Sequence, residues 1–159
     1  MFETRNDLPE STRAAVIKLL NERLAAAIDL QLQAKQAHWN VKGPNFVGLH
    51  ELFDKVAGEA LEYSDSIAER AVALGGTAEG TLQVTSQRSN LPKYPVVTSA
   101  WREHVLDMAK SLSTFGKDAR RLIDDATRLN DADTADLFTE ISRGIDKLLW
   151  MVEAHIQDV

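Results

Sequence analysis

Side chains that can bind a hard or borderline metal ion are concentrated between residues 38 and 76 of this 159-residue chain: His38, His50, Asp54, Asp65 and Glu69. Imidazoles and carboxylates without thiolates suit Fe(II), Mn(II) or Zn(II), and ligand type alone does not choose between these ions. If residues 46 to 74 form one helix, the last four of these side chains fall within about 100° of one another around its axis. They therefore share one face of the predicted helix.

The spacing along that helix excludes a site built by one copy of it. Asp54 and Asp65 are separated by about 16 Å along the axis, so no single ion can reach both. The spacing is nevertheless symmetric, because His50 and Glu69, like Asp54 and Asp65, are equidistant from the point between residues 59 and 60. Two antiparallel copies related by a two-fold axis through that point would bring His50 and Asp54 opposite the other chain's carboxylates, twice.

Small residues lie next to the centre of symmetry, and we expect them to let the two backbones approach closely: Ala57, Gly58 and Ala60. The sequence therefore predicts a metal site that is shared between subunits. Whether His38 joins it depends on the stagger between the first two helices, which spacing does not determine.

The helices that must position these ligands are indicated by apolar residues with helical periodicity. Residues 1–10 form a polar arm, and residues 11–159 form one domain. The first helix is predicted over 11–41 with Ser11 or Thr12 as its N-cap. Its predicted inner face carries Val16, Leu20, Leu24, Ala27, Gln31, Ala34 and His38. The glycine and proline of residues 42–45 end it.

The second helix, over 46–74, ends at Gly75 and Gly76, and its apolar stripe lies beside the ligands: Leu49, Phe53, Val56, Ala60, Ile67, Ala71 and Leu74. A connection over 77–95 is long enough to cross the molecule and contains a short helix around TLQVTSQ.

A third long helix begins near Thr98, with Trp101, Val105, Met108, Leu112, Phe115, Ala119, Leu122 and Ala126 on its apolar face. A fourth follows the turn at 130–133, whose aspartates can cap it, with Leu137, Ile141, Ile145, Leu148, Val152 and Ile156 on its apolar face. Four long helices with one long crossover predict an all-α, ferritin-like four-helix bundle.

Composition excludes several other functions. The chain has no cysteine, so disulfides, thiolate zinc sites and cysteine nucleophiles are excluded. Its net charge of -6 argues against a strong polyanion binder. No apolar run is long enough for a membrane span, and the first residues lack the apolar segment of a signal peptide. We expect a cytoplasmic protein.

Four segments carry a resemblance to a known family: KQAHWNVKGPNF, VGLHELFD, SDSIAERA and DTADLFTEISRGIDKLLW. They resemble the Dps family, the mini-ferritins that protect DNA in stressed bacteria, and the similarity extends over residues 4–157. The resemblance implies a hollow dodecameric shell with iron-oxidising centres at its two-fold interfaces. It also implies oxidation of Fe(II), preferably by hydrogen peroxide, and storage of Fe(III) as a mineral core. Zn or Mn can take the place of iron in such sites.

Carried over to this chain, the resemblance assigns His38, His50 and Asp54 to one subunit, and Asp65 and Glu69 to its partner. Asp54 and Glu69 would bind the first iron, and the other three would complete the site or serve a second iron. Trp39 would be an electron donor or an interface residue, and Lys35 is expected in a surface ion pair.

One feature departs from part of that family. Members that bind DNA often carry a lysine-rich arm, whereas only Arg5 is basic before Pro9 here. Because DNA affinity depends on clustered cations, we expect weak or no direct DNA binding. The alternative function, a nucleoid-compacting DNA-binding protein with secondary iron chemistry, is correspondingly disfavoured.

Residues outside the predicted site receive structural interpretations. His104 and His155 are expected to be structural, and Trp101 and Trp150 to lie in the core or at an interface. Three aspartates near the start of the fourth helix have two compatible interpretations: they could line an acidic iron pore, or they could cap the helix within a solvated turn. They are Asp131, Asp133 and Asp136.

Overall fold

Four long helices and one short helix form the structure, a computed structural model that describes residues 1–157. They are α1 (Glu10–Asn40), α2 (Phe46–Ala73), α3 (Leu82–Arg88), α4 (Trp101–Arg128) and α5 (Ala132–Glu153). Residues 1–157 contain no β-strand and one isolated bridge, between Lys42 and Ala100. None of the helices in this range is long and apolar enough to cross a membrane. The predicted all-α fold is confirmed.

The bundle buries the apolar faces that periodicity predicts. α1 packs against α2 and α4, and α5 packs against α4 and α2. The predicted stripe of α2 is buried from Leu49 to Leu74, as is that of α4 from Val105 to Ala126. In α1 the prediction holds except at Gln31 and His38, which are half-buried. Phe53, Phe115 and Phe138 are the largest fully buried side chains among the described residues.

The crossover between α2 and α4 follows the length of α1. The Asn21 side chain accepts from the backbone amide of Glu79 and donates to the Thr77 carbonyl, at 2.9 and 3.0 Å. Further along, Ser89 donates to Asp29, and the Gln33 amide donates to the Pro92 carbonyl at 3.0 Å. Polar side chains of α1 thus provide hydrogen-bond partners for backbone groups of the crossover, which forms little regular secondary structure of its own.

The turn between α1 and α2 is held against the start of α4. The Lys42 amide donates to the Ser99 carbonyl at 2.8 Å, and the Trp101 amide donates to the Lys42 carbonyl at 3.1 Å. Gly43 has a φ of +138°, and a Cβ there would lie 2.5 Å from the Trp101 ring. These contacts hold the turn that follows His38 against the start of α4.

The turn between α4 and α5 is built around a buried aspartate. Asp131 accepts from the Thr134 amide at 3.0 Å as the N-cap of α5, and from Arg70 of α2 at 2.7 Å. Its side chain is 1% exposed. The capping interpretation is confirmed for Asp131, and its assignment to an iron pore is wrong because this ion pair occupies it. Asp133 and Asp136 are exposed, and their role in a pore stays a prediction.

The N-terminus differs from the prediction in how the helix begins. α1 starts at Glu10 with Pro9 at the N-cap position and no side-chain cap, so Ser11 and Thr12 lie inside the helix. The arm before it is irregular, as predicted, but it contacts the end of α2. The Phe2 amide donates to the Gly75 carbonyl at 2.6 Å.

Candidate metal centre

Two histidines on neighbouring helices face each other and exchange hydrogen bonds. The rings of His38 and His50 stack with centroids 3.7 Å apart and planes inclined by 22°. His38 Nδ1 lies 2.7 Å from the His50 carbonyl oxygen, and His50 Nδ1 lies 2.8 Å from the His38 carbonyl oxygen. The His38 carbonyl belongs to the last turn of α1, where carbonyls lack a partner within the helix. The structure therefore brings together the two predicted imidazoles.

This reciprocal contact determines which ring nitrogen can bind a metal. A carbonyl oxygen only accepts, so each Nδ1 must carry the proton it donates. In the neutral imidazole, Nε2 then holds the lone pair that a metal ion needs. A backbone carbonyl at the other ring nitrogen is a common way to orient a metal-ligating histidine. The carbonyl partners carry no sequence signal, because every residue has one.

Asp54 lies one turn after His50 on α2 and is paired with a cation. Lys35 Nζ of α1 is 2.6 Å from Asp54 Oδ1 and 5.9 Å from the centre of the Trp39 ring. The hydrogen bond from this ammonium group is the main reason why the pKa of Asp54 lies below its usual value. The expected surface ion pair of Lys35 is thus confirmed, and its partner is a predicted metal ligand.

The remaining two predicted ligands lie apart from this group. Asp65 and Glu69 are exposed and follow Asp54 on α2 by three and four turns, about 16 to 22 Å along the axis. Within residues 1–157 no three metal-ligating side chains converge on one point. The subunit therefore presents two separate groups: the histidine half-site (His38, His50 and Asp54) and the acidic half-site (Asp65 and Glu69).

The structure corrects the set of small residues expected at the centre of α2. Ala57 and Ala60 are buried against their own subunit, at 4% and 1% exposure. They pack in the core of their own subunit and therefore do not lie between two copies of the helix. Gly58 is exposed, and a Cβ there would have no neighbour within 4 Å.

The aromatic residues and the other histidines divide between core and surface. Trp39 is 66% exposed beside His38, and both of its predicted roles stay predictions. Trp150 is 61% exposed, so a core position for it is wrong and an interface position stays a prediction. Trp101 is partly buried over Gly43.

The two other histidines have contacts typical of structural residues. His104 is fully buried and its Nδ1 lies 2.9 Å from the Tyr94 hydroxyl. Burial lowers the pKa of His104, and the backbone of Thr98 and the carboxylates of Asp107 and Glu103 oppose this shift only in part. His155 Nδ1 lies 3.0 Å from the Met151 carbonyl oxygen of its own helix.

Comparison with known proteins places this geometry among ferritin-like domains. The ferritin-like domain family matches residues 17–159. The "DNA protection during starvation protein" of Agrobacterium fabrum is 44% identical over 156 residues, covering 98% of this chain and 96% of that protein. Dps of Mycobacterium smegmatis superposes with a TM-score of 0.93 at 29% identity, covering 98% of this chain and 95% of that chain. Dps of Microbacterium arborescens in a high-iron form superposes with a TM-score of 0.88 at 30% identity, covering 98% and 99%.

Proposed function

Because the chain belongs to the Dps family of ferritin-like proteins, we propose that it is a mini-ferritin that oxidises Fe(II) with hydrogen peroxide. The site is the histidine half-site of one subunit facing the acidic half-site of a second. The observation that carries the proposal is the His38–His50 pair, because both Nδ1 atoms are committed to carbonyls and both Nε2 atoms are left for a metal.

The symmetry of α2 supports the assignment of the missing ligands to a second subunit. His50 and Asp54 are as far from the helix centre as Glu69 and Asp65 are on the other side. A two-fold contact therefore supplies each histidine half-site with an acidic half-site and creates two equivalent sites. The combined set of two imidazoles and three carboxylates matches the preferences of Fe(II), with Zn(II) and Mn(II) as substitutes.

The reaction balances with iron and peroxide as substrates. Two Fe(II) ions give one electron each to H2O2, whose O–O bond breaks, and two protons complete two molecules of water. Because both electrons are delivered at one site, no hydroxyl radical is released. Asp54 and Glu69 bind the first iron, and His38, His50 and Asp65 complete the site or serve the second.

Lys35 and Trp39 flank the histidine half-site, and each has a role in the proposal. The Lys35 ammonium group neutralises Asp54 until a metal ion takes its place. Trp39 is one residue from a ligand and exposed, so it can supply an electron when only one iron is bound.

The proposal extends to assembly and location. We place the protein in the cytoplasm as a dodecameric shell whose cavity stores Fe(III) as a mineral, near the nucleoid that it protects. DNA is protected by removal of Fe(II) and peroxide together, without a direct contact. The net charge of -6 supports this view, because DNA affinity depends on clustered cations.

Anaerobic titration followed by peroxide tests the function. Fe(II) is added to the assembled protein without oxygen, H2O2 follows, and ferric absorbance is recorded together with the peroxide consumed. We expect one peroxide for every two irons, and loss of the rapid phase in His50→Ala. Asp146→Ala, which removes an exposed carboxylate bound to Arg120 on another face, is the matched control. A rapid phase unchanged in His50→Ala contradicts the proposal.

A gel-shift experiment tests the DNA-binding alternative. We expect no retardation of plasmid by the assembled protein at physiological salt without divalent cations. Retardation that weakens steeply with added salt would support direct phosphate contacts instead.

A further inference from the structure

The exposure pattern of α2 extends the symmetry of its ligands to residues that bind no metal. Positions equidistant from the helix centre form pairs, and in four of these pairs both members are exposed. One is the ligand pair of Asp54 and Asp65, and the others are Phe46 with Ala73, Val47 with Val72, and Gly58 with Leu61. Most other pairs have at least one member buried in the core. At 100° per residue, three of the four exposed pairs fall within about 60° of one another around the axis and lie on one surface, whereas Phe46 and Ala73 at the helix ends lie to either side of it.

The innermost of these pairs combines an empty space with a projecting side chain. A Cβ placed on Gly58 would have no neighbour within 4 Å, and this residue has no positive φ, so its own subunit does not require glycine there. Glycine in the middle of a helix is less favourable than any other residue except proline. Leu61, its symmetric partner, is 49% exposed, although burial of a leucine side chain is favourable. The glycine at position 58 is therefore not explained within one subunit, and Leu61 is available for a contact outside it.

We infer that the partner's Leu61 packs over Gly58 at the two-fold axis and thereby sets the register in which the half-sites meet. Both contacts form at once, because the symmetry places each Leu61 against the other Gly58. The absence of a side chain at Gly58 lets the helices approach closely where they cross. Val47 against the partner's Val72 extends the apolar contact beyond the ligands. This inference rests on the proposed function, since it positions the site described above.

A register contact matters for the metal site because the ligands lie on both sides of it. Asp54 precedes Gly58 by one turn, and Asp65 follows Leu61 by one turn. A shift of the helices by one turn moves each carboxylate by about 5.4 Å along the axis, which is more than twice a metal–ligand distance. Gly58 and Leu61 are therefore positioning residues.

Cysteine cross-linking tests the contact directly, and the chain has no cysteine of its own. Gly58→Cys and Leu61→Cys chains with different tags are co-expressed, purified through both tags and oxidised. A disulfide requires Cα atoms within about 7 Å of each other. Since the proposed contact brings position 58 of one chain against position 61 of the other, we expect a disulfide between the two chains. Gly48→Cys replaces Gly58→Cys in the control, since Gly48 is also exposed with open space but its symmetric partner, Ala71, is buried.

Exchange of the two residues gives a second test with matched composition. In a dimer of Gly58→Leu, each new leucine lies against Leu61 of the other chain and the contact is overpacked. We expect the dissociation constant of the two-fold contact to increase at least about 30-fold. Leu61→Gly leaves a void and should also weaken the contact. The double variant Gly58→Leu/Leu61→Gly restores one leucine against one glycine and should restore association, measured by sedimentation. Gly48→Leu should associate like the wild type.

The results separate this inference from the proposed function. A mixture of His50→Ala and Asp65→Ala chains measures shared activity, because a site between two subunits is intact in part of the mixed assemblies. Efficient cross-linking of positions 58 and 61 without ferroxidase activity in this mixture retains the contact and rejects the shared site. Shared activity with cross-linking no better than in the Gly48→Cys control retains the site and rejects the contact. If Gly58→Leu does not fold, cross-linking alone decides the inference.

Discussion

Two inactive variants should restore activity to each other when they damage opposite half-sites. His50→Ala removes a ligand from the histidine half-site, and Asp65→Ala removes one from the acidic half-site. In a dimer with one chain of each kind, one site contains both lesions and the other contains neither. Neither variant alone can form an intact site, because each of its sites combines an intact half with a damaged half.

The symmetry determines the size of the effect. When equal amounts of the two chains pair at random, about half of the dimers are mixed, and one of the two sites in each mixed dimer is intact. About one quarter of all sites should therefore oxidise iron. The rate per chain of a co-expressed mixture should be about one quarter of the wild-type rate, against background for each variant alone.

A pair of lesions in the same half-site provides the control. A mixture of His50→Ala chains with Asp54→Ala chains contains only damaged histidine half-sites, so its activity should stay at background. Two different affinity tags verify that the mixed assemblies form, and ferric absorbance after anaerobic Fe(II) loading and peroxide gives the rate. The reasoning is refuted if verified assemblies of His50→Ala with Asp65→Ala show no activity, or if both mixtures recover equally.

Three further changes have predictable outcomes. Lys35→Met removes the ammonium group that a divalent cation must displace from Asp54, so calorimetry should show tighter Zn(II) binding, and weaker binding would contradict the competition. Gly144→Ala places a methyl group against the Tyr63 hydroxyl and should lower the unfolding free energy by about 1 to 3 kcal/mol. Most of that loss should disappear in a Tyr63→Phe background, and equal losses in both backgrounds would exclude this clash as the cause. Burial lowers the pKa of His104 from the usual 6.5, so its contribution to stability is complete above that pH and is lost as pH falls toward the folded-state pKa. His104→Gln should therefore reduce the slope of unfolding free energy against pH just below 6.5, by at most about 1.4 kcal/mol per pH unit, and an unchanged slope in denaturant titrations would contradict this.

The helices and the core could be predicted from the sequence because their signals are local. Apolar residues recur every three or four positions, and the buried faces of α2 and α4 match this pattern from Leu49 to Leu74 and from Val105 to Ala126. Glycine and proline mark the ends of elements through their own backbone preferences. The start of α1 was predicted less well, since Pro9 occupies the N-cap position without a side-chain cap.

Other features depend on contacts between distant parts of the chain. Ala57 and Ala60 are small, as a close helix contact requires, but size does not reveal that they face their own core. An aspartate at a turn can cap a helix or line a pore, and the arrival of Arg70 from α2 decides this for Asp131. The environment of His104 likewise depends on Tyr94, which the crossover brings beside it.

The sequence by itself determined the all-α bundle, the candidate ligands and their symmetric spacing on α2, because helical geometry converts residue numbers into positions on one helix. It could not determine the stagger between α1 and α2. That stagger is a property of how the two helices pack on each other, and the turn between them is held by contacts of Lys42 with Ser99 and of Gly43 with Trp101, residues almost 60 positions apart. Only the tertiary structure therefore decided that His38 stacks on His50, and that two backbone carbonyls hold both rings with Nε2 available to a metal.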